Sequence, residues 1–196
     1  MFVINPCAAG CGRPAITGYN LCFIHQANPE QEYIRICSYI EENMVIKDFN
    51  ASGIRFENID FSKHRFYGCN FKESSFFNCN FAGVKMRMSF FDFAGFTDCD
   101  FSESDIQFLS LAGTRIDNCN FDGSEIVHIN FEGASIINTS FNNSNLYNSR
   151  YISADMERCT FVNCNLKGVN FASSKQKDVF YKSSNTAEAV FEIEDF

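Results

Sequence analysis

The chain has 196 residues, 45% of them hydrophobic, with ten cysteines, 24 phenylalanines, no tryptophan and a formal net charge of −8. That length suits one ordinary domain or a solenoid with a small appendage, and the apolar content excludes wholesale disorder. No apolar run approaches the ~20 residues a membrane span needs, and the first six residues lack the basic start and apolar stretch of a signal peptide, so the expected address is the cytoplasm.

Residues 1–28 carry the one chemical constellation. Cys7-Ala8-Ala9-Gly10-Cys11 is followed, after ten residues, by Cys22-Phe23-Ile24-His25. Three thiols and an imidazole in two close pairs are what a closed tetrahedral zinc site requires, each pair clipping the ion from one side. Gly10, Gly12 and Gly18 permit the tight turns this demands. The competing reading is a leader of free or buried thiols. In its spacing and in the run Cys11-Gly12-Arg13-Pro14-Ala15 the segment is similar to short zinc-finger modules. A metal held by Cys7, Cys11, Cys22 and His25 would be structural, because four protein ligands leave no open position for water or substrate.

A helix comes next, within a capping and connecting segment over residues 29–53. Asn28 reads as its N-cap, Pro29 as its first residue and Gln31 as a capping-box partner. Tyr33, Ile36, Cys37, Ile40 and Met44 recur at helical spacing, which predicts a helix from 29 to about 46 that lays one apolar face over whatever follows.

From Phe56 to Phe171 every fifth residue is apolar for 24 consecutive steps, and 14 of the phenylalanines lie on this register. A period of five fits neither a helix nor a strand, so it marks a coiled chain that returns each unit to an equivalent place. Representative units, centred on the apolar residue, are Cys69-Asn70-Phe71-Lys72-Glu73 and Ser104-Asp105-Ile106-Gln107-Phe108. Two residues before the centre the side chain is small in most units: Cys69, Cys79, Cys99, Cys119, Cys159 and Cys164 stand there beside Ser74, Ala94, Thr114 and Ser124. In extended chain these point the same way as the centre, so the cysteines are read as small core residues and not as a disulfide framework. His64 falls at the same inward position and is read as a core residue with a satisfied nitrogen.

This pattern resembles the pentapeptide-repeat family. The resemblance implies an all-β solenoid over residues 54–173, a right-handed quadrilateral β-helix with one pentapeptide per side, four per coil and about six coils. On that reading Phe61, Phe81, Phe101, Phe121, Phe141 and Phe161 form an interior ladder of stacked rings. Asn58, Asn78, Asn118 and Asn138 align along one edge. Residues 174–196 lose the period yet keep Phe180, Tyr181, Val190, Phe191, Ile193 and Phe196, and are read as a second cap or as a dimerisation tail joining two copies.

Charge is uneven along the repeats. Nine acids stand against Arg115 alone between Asp92 and Glu132, whereas six bases and three acids lie between Arg55 and Arg87. The acidic belt repels phosphate and argues against direct nucleic-acid binding. It suits a basic protein surface instead, and some pentapeptide-repeat proteins mimic duplex DNA to bind type II topoisomerases such as gyrase. The zinc-like leader departs from that group. Phosphate loops, nucleophile elbows and metalloprotease His pairs are missing, so no catalysis is expected. Phe77, Met88, Phe90, Phe93 and Phe108 fall at outward positions and form a candidate interaction surface, to be covered by the chain's own termini or by a partner. The function that emerges is a non-enzymatic protein-interaction scaffold with a structural zinc; its alternative is a DNA-mimicking gyrase modulator.

Overall fold

The computed structural model describes residues 5–192; Ile193 and Phe196 lie outside the described residues. Twenty residues bring the backbone once around four short sides. Two of the sides are formal parallel sheets. Val45–Lys47, Arg65–Tyr67, Lys85–Arg87, Asp105–Gln107 and Glu125–Val127 make a five-stranded sheet, and seven strands from Arg55–Glu57 to Lys175–Lys177 make the other. Every pairing within them joins residues 20 apart, as in Lys85↔Asp105, so nothing slips and inside stays inside. The other two sides are held by isolated parallel bridges such as Asp100↔Asn120 and Phe90↔Ser110.

The five-residue unit turns its corner in a uniform way. The residue two past each centre is left-handed, with φ of 56° at Asn58, 53° at Asn118 and 66° at Gly133. Asn and Gly are the residues that tolerate this region at least cost. The small residue two before the centre does more than leave room. Ser124 Oγ donates to the Phe101 carbonyl at 2.8 Å, and the Cys159 thiol donates to the Ile136 carbonyl at 3.3 Å. Hydroxyls and thiols thereby satisfy buried backbone acceptors that alanine would leave to the ladder alone.

The core is a column of rings. Phe61, Phe81 and Phe101 stack at centroid separations of 4.6 and 4.4 Å, nearly parallel, and the column continues through Phe121, Phe141 and Phe161. Rings from adjacent sides meet edge to face, as Phe56 and Phe61 do at 81°. Stacking along the axis and T-shaped contact across it are the two favourable arrangements of an aromatic quadrupole.

The solenoid outruns both of its predicted ends, giving about seven turns. Upstream, the helix α1 (Pro29–Glu42) stops four residues short of the expected 46, because the β-branched run Val45-Ile46 joins the sheet beside Arg65–Tyr67. Met44 is consequently exposed, while Ile36 and Ile40 are fully buried against the first coil. Asn28 caps the helix as expected, accepting from the Gln31 N–H at 3.2 Å. His64 ties the other end of α1 to the coil: its Nε2 lies 3.0 Å from the Ile40 carbonyl and its Nδ1 3.1 Å from that of Ser62. Downstream, the chain keeps coiling past 174, with Lys175–Lys177 beside Asp155–Glu157 and Val190 bridged to Asn170. Tyr181 and Phe191 stack on Phe161 and Phe171. Gln176 and Thr186 stand where Met156 and Leu166 stand one turn below, so the period fades in the sequence while the backbone keeps coiling, with a 3-10 turn over Thr186–Glu188 before the bridge at Val190. No helix among the described residues is long and apolar enough to cross a membrane.

Candidate metal centre and interaction face

The four predicted ligands converge. Cys7 and Cys11 flank a turn closed by the Gly10 N–H on the Cys7 carbonyl, with Gly10 at φ 72°. A one-turn 3-10 helix, Phe23–His25, carries His25 back towards Cys22. The ligand atoms of Cys7, Cys11, Cys22 and His25 all lie within 4.8 Å of one another, and among the described residues no other Cys, His, Asp or Glu group does this. Cys11 and Cys22 sulfurs are 3.7 Å apart, and His25 Nδ1 is 3.4 Å from both Cys7 and Cys22 sulfurs. An ion ~2.3 Å from sulfur and ~2.0 Å from nitrogen sets tetrahedral edges of roughly 3.7 and 3.5 Å. The cluster has the dimensions of a tetrahedron whose centre could hold a metal ion.

The electrostatics agree with that use. The Cys22 N–H donates to the Cys7 sulfur at 3.3 Å, and this bond chiefly lowers the Cys7 thiol to about 6, so it is a thiolate at neutral pH. Burial pushes Cys22 up. Cys69 and Cys159 of the solenoid contrast with Cys7. Burial raises Cys69 and Cys159 to about 11, which keeps them protonated and inert. None of the ten cysteines is in a disulfide.

The metal-site segment is docked on the rod. Thr17 and Ala15 form the rung beneath Asn50: the Asn50 N–H donates to Thr17 Oγ1 at 2.7 Å, the Thr17 N–H to the Asn50 carbonyl at 3.2 Å, and the Asn50 amide to the Ala15 carbonyl. Asn70 extends this amide ladder upward, donating to Asn50 Oδ1 at 2.7 Å. Arg13 reaches Glu73 at 3.8 Å.

One coil higher on the same side stand the candidate interaction residues. Met88, Phe90, Phe93 and Phe108 are 62, 37, 71 and 55% exposed, with Phe77 on another side at 42%. Among the described residues, neither the head nor the tail covers Met88, Phe93 or Phe108, while the Lys72 ammonium lies over the Phe90 ring at 5.2 Å. Met88, Phe93 and Phe108 sit at corner positions with φ of 50°, 59° and 56°. Bulky side chains are rare in that region and strain the backbone. The Phe93 ring lies over Gly113, where an added Cβ would come within 2.7 Å of it. Phe108 stacks on His128 at 4.9 Å, and Tyr147 meets His128 edge-on at 5.7 Å. The sequence pattern marked these residues as outward; the left-handed corner and the His128 and Tyr147 extension were not legible from spacing alone.

The acidic belt divides over all four sides. Asp92 pairs with Lys72 at 3.1 Å, Asp105 with Arg87 at 2.6 Å, Asp117 with Arg115 at 3.8 Å and Glu132 with Arg150 at 3.0 Å.

Comparison with known proteins agrees with the architecture. A family model for a pentapeptide repeat region matches residues 50–131, and one for eight copies of pentapeptide repeats matches residues 114–150. Among solved structures, the chain is similar to HetL, a pentapeptide repeat protein involved in heterocyst differentiation regulation from the cyanobacterium Nostoc, at 12% identity over 81% of this chain and 95% of HetL, with a TM-score of 0.34. It is also similar to full-length QnrB1, a plasmid-mediated fluoroquinolone resistance protein, at 15% identity over 72% of this chain and 90% of QnrB1, TM-score 0.32. A pentapeptide repeat protein of the Arabidopsis thaliana thylakoid lumen matches at 30% identity over 52% of this chain and 68% of its own length, TM-score 0.28. No curated protein sequence matches the chain. The unbroken 20-residue register and the two adjoining family matches together place the chain in the pentapeptide-repeat family.

Proposed function

We propose that this protein is a non-enzymatic interaction scaffold of the cytoplasm, in which a zinc-stapled head and an aromatic patch present one face to a protein partner. The observation that carries it is the cluster of Met88, Phe93 and Phe108, more than half exposed and held in strained corners where Asn or Gly would serve the fold better. Strain and exposed apolar surface both cost stability, so their coincidence above the docked head points to use. Zinc suits the head because three soft thiolates and an imidazole in a closed tetrahedron match its preferences. Its role is structural: it fixes the fold of a segment otherwise too short to form a core.

The test is capture from cell extract with wild-type protein and with a Phe90→Ser, Phe93→Ser double variant. Recovery of a specific partner by wild type alone supports the scaffold reading, and identical recovery by both removes it. Gyrase modulation is the second reading, resting on the acidic belt. Duplex DNA offers two continuous lines of phosphate charge, whereas here the acids are scattered around the rod and four of them pair internally. A supercoiling assay with and without quinolone separates the two; the scaffold reading expects no change.

A further inference from the structure

We infer that the five-stranded side of the rod is a self-complementary surface for a second copy of this chain, docked antiparallel. This deepens the scaffold reading, on which it rests, by naming the occupant of the edge that bears Met88 and Phe108. The outward side chains of that sheet change sign half-way up. In one column, set by the register, stand Val45, Arg65, Lys85, Asp105 and Glu125. In the neighbouring column stand Lys47, Tyr67, Arg87, Gln107 and Val127. The lower half carries the cations Lys47, Arg65, Lys85 and Arg87 and the upper half the anions Asp105 and Glu125, and the border falls between the coils of Lys85 and Asp105. Among the described residues, Lys47, Arg65 and Lys85 enter none of the ion pairs formed within the chain, while Arg87 and Asp105 bind each other across the border at 2.6 Å.

A two-fold axis lying in the face, along the strand direction and on that border, turns a second rod upside down against the first. Each column then faces itself inverted. Lys85 meets Asp105 of the other copy, and Arg65 meets Glu125. At the adjoining corner Met88, 62% exposed, meets Phe108, 55% exposed; beside them Tyr67 meets Val127. A parallel arrangement would set cation on cation. Charge complementarity therefore selects the antiparallel pair, and isologous symmetry lets one patch supply both halves of the contact. Five strands at ~4.8 Å spacing span roughly 24 Å, a face of some 400 Å² per copy. This is below the ~800 Å² of a standard interface, so the pair belongs to the weak, exchanging class and its strength depends on salt.

Sedimentation velocity of the full chain from micromolar to submillimolar concentration tests this. Wild type should dimerise reversibly, less so at high salt. Arg65→Glu with Lys85→Glu makes the column wholly acidic, Asp105→Lys with Glu125→Arg makes it wholly basic, and each variant alone should associate at least about tenfold more weakly. An equimolar mixture of the two should recover the dimer, a result that general misfolding cannot produce. A monomer at all concentrations overturns the inference, as does a dimer unaffected by charge reversal but abolished by Phe180→Ser with Phe191→Ser at the end of the rod. The scaffold reading fails by a different outcome, the loss of any partner dependent on Phe90 and Phe93.

Discussion

Tyr151 stands at an inward position, fully buried between Phe131 and Phe171, and its hydroxyl has no hydrogen-bond partner. An unpaired buried hydroxyl costs more than it returns, so Tyr151→Phe should raise stability by about 1 kcal/mol, read as a higher denaturant midpoint; a lower midpoint would reveal a partner for the oxygen. Burial also drives the Tyr151 pKa well above its ordinary 10.0 and lifts the Cys69 and Cys159 thiols from 9.0 to about 11. A group whose folded pKa is raised contributes stability that is whole below its unfolded value and lost as pH rises through the folded one. Unfolding free energy should therefore fall above about pH 9, and Tyr151→Phe should flatten the part of the fall above pH 10. Corners obey a different logic. Met88 gains little from burial and holds φ at 50°, so Met88→Asn should stabilise the monomer by about 1 kcal/mol. A melting curve that shows no gain would mean that the methionine makes a contact in the folded protein that offsets its strain.

Among the elements, the repeat was the most legible in sequence because an apolar centre recurs without a break, with a small residue two positions earlier in most units. The rules for the corner were harder to see: Asn58, Asn78, Asn118 and Asn138 aligned along one edge, and the left-handed φ they share is a reason for them that the spacing did not show. Helix α1 announced its start through Asn28 and Pro29, but its end depended on tertiary competition, since Val45 and Ile46 could serve helix or ladder until Arg65–Tyr67 offered a partner strand. The four ligands of the head were legible as a set, though not the docking of Ala15 and Thr17 beneath Asn50. That docking makes the head separable from the rod. Cys22→Ser, or zinc removal by chelation, should unfold residues 5–25 and leave the strand signal of the solenoid intact, measured by circular dichroism with elemental analysis for the metal. Thiol labelling gives a finer reading of the same event. Without metal, Cys11 and then Cys7 should react, while Cys69, Cys79 and Cys159 stay protected until the rod itself unfolds.

At the scale of the whole molecule the rod is quasi-one-dimensional, each turn touching only the turns above and below, so its stability is a sum of rungs and rung interfaces. The two ends are then unequal. The lower end is closed: Ile36 and Ile40 cover the first coil, Tyr39 stacks on Phe49 at 5.1 Å, and His64 binds the last turn of α1. At the upper end the rung from Lys175 to Val190 places exposed Gln176 and half-buried Thr186 where other rungs place buried apolar side chains, and leaves Phe180 59% exposed. With fewer apolar contacts on that rung, its local opening requires less free energy than that of the centre. Amide hydrogen exchange should therefore show a gradient, with the N–H groups of Phe81, Phe101 and Phe121 exchanging slowest and those of Phe161 and Phe171, which donate into the terminal rung, exchanging faster. Phe101→Ala should cost about 3–5 kcal/mol and lower protection across the rod, because it opens a void between two stacked neighbours. Phe191→Ala should cost much less and change only the terminal rung. If Phe161 and Phe171 prove as protected as Phe101, something covers the upper end in solution, and repeating the exchange over a range of protein concentrations would decide whether that cover is a second copy of the chain.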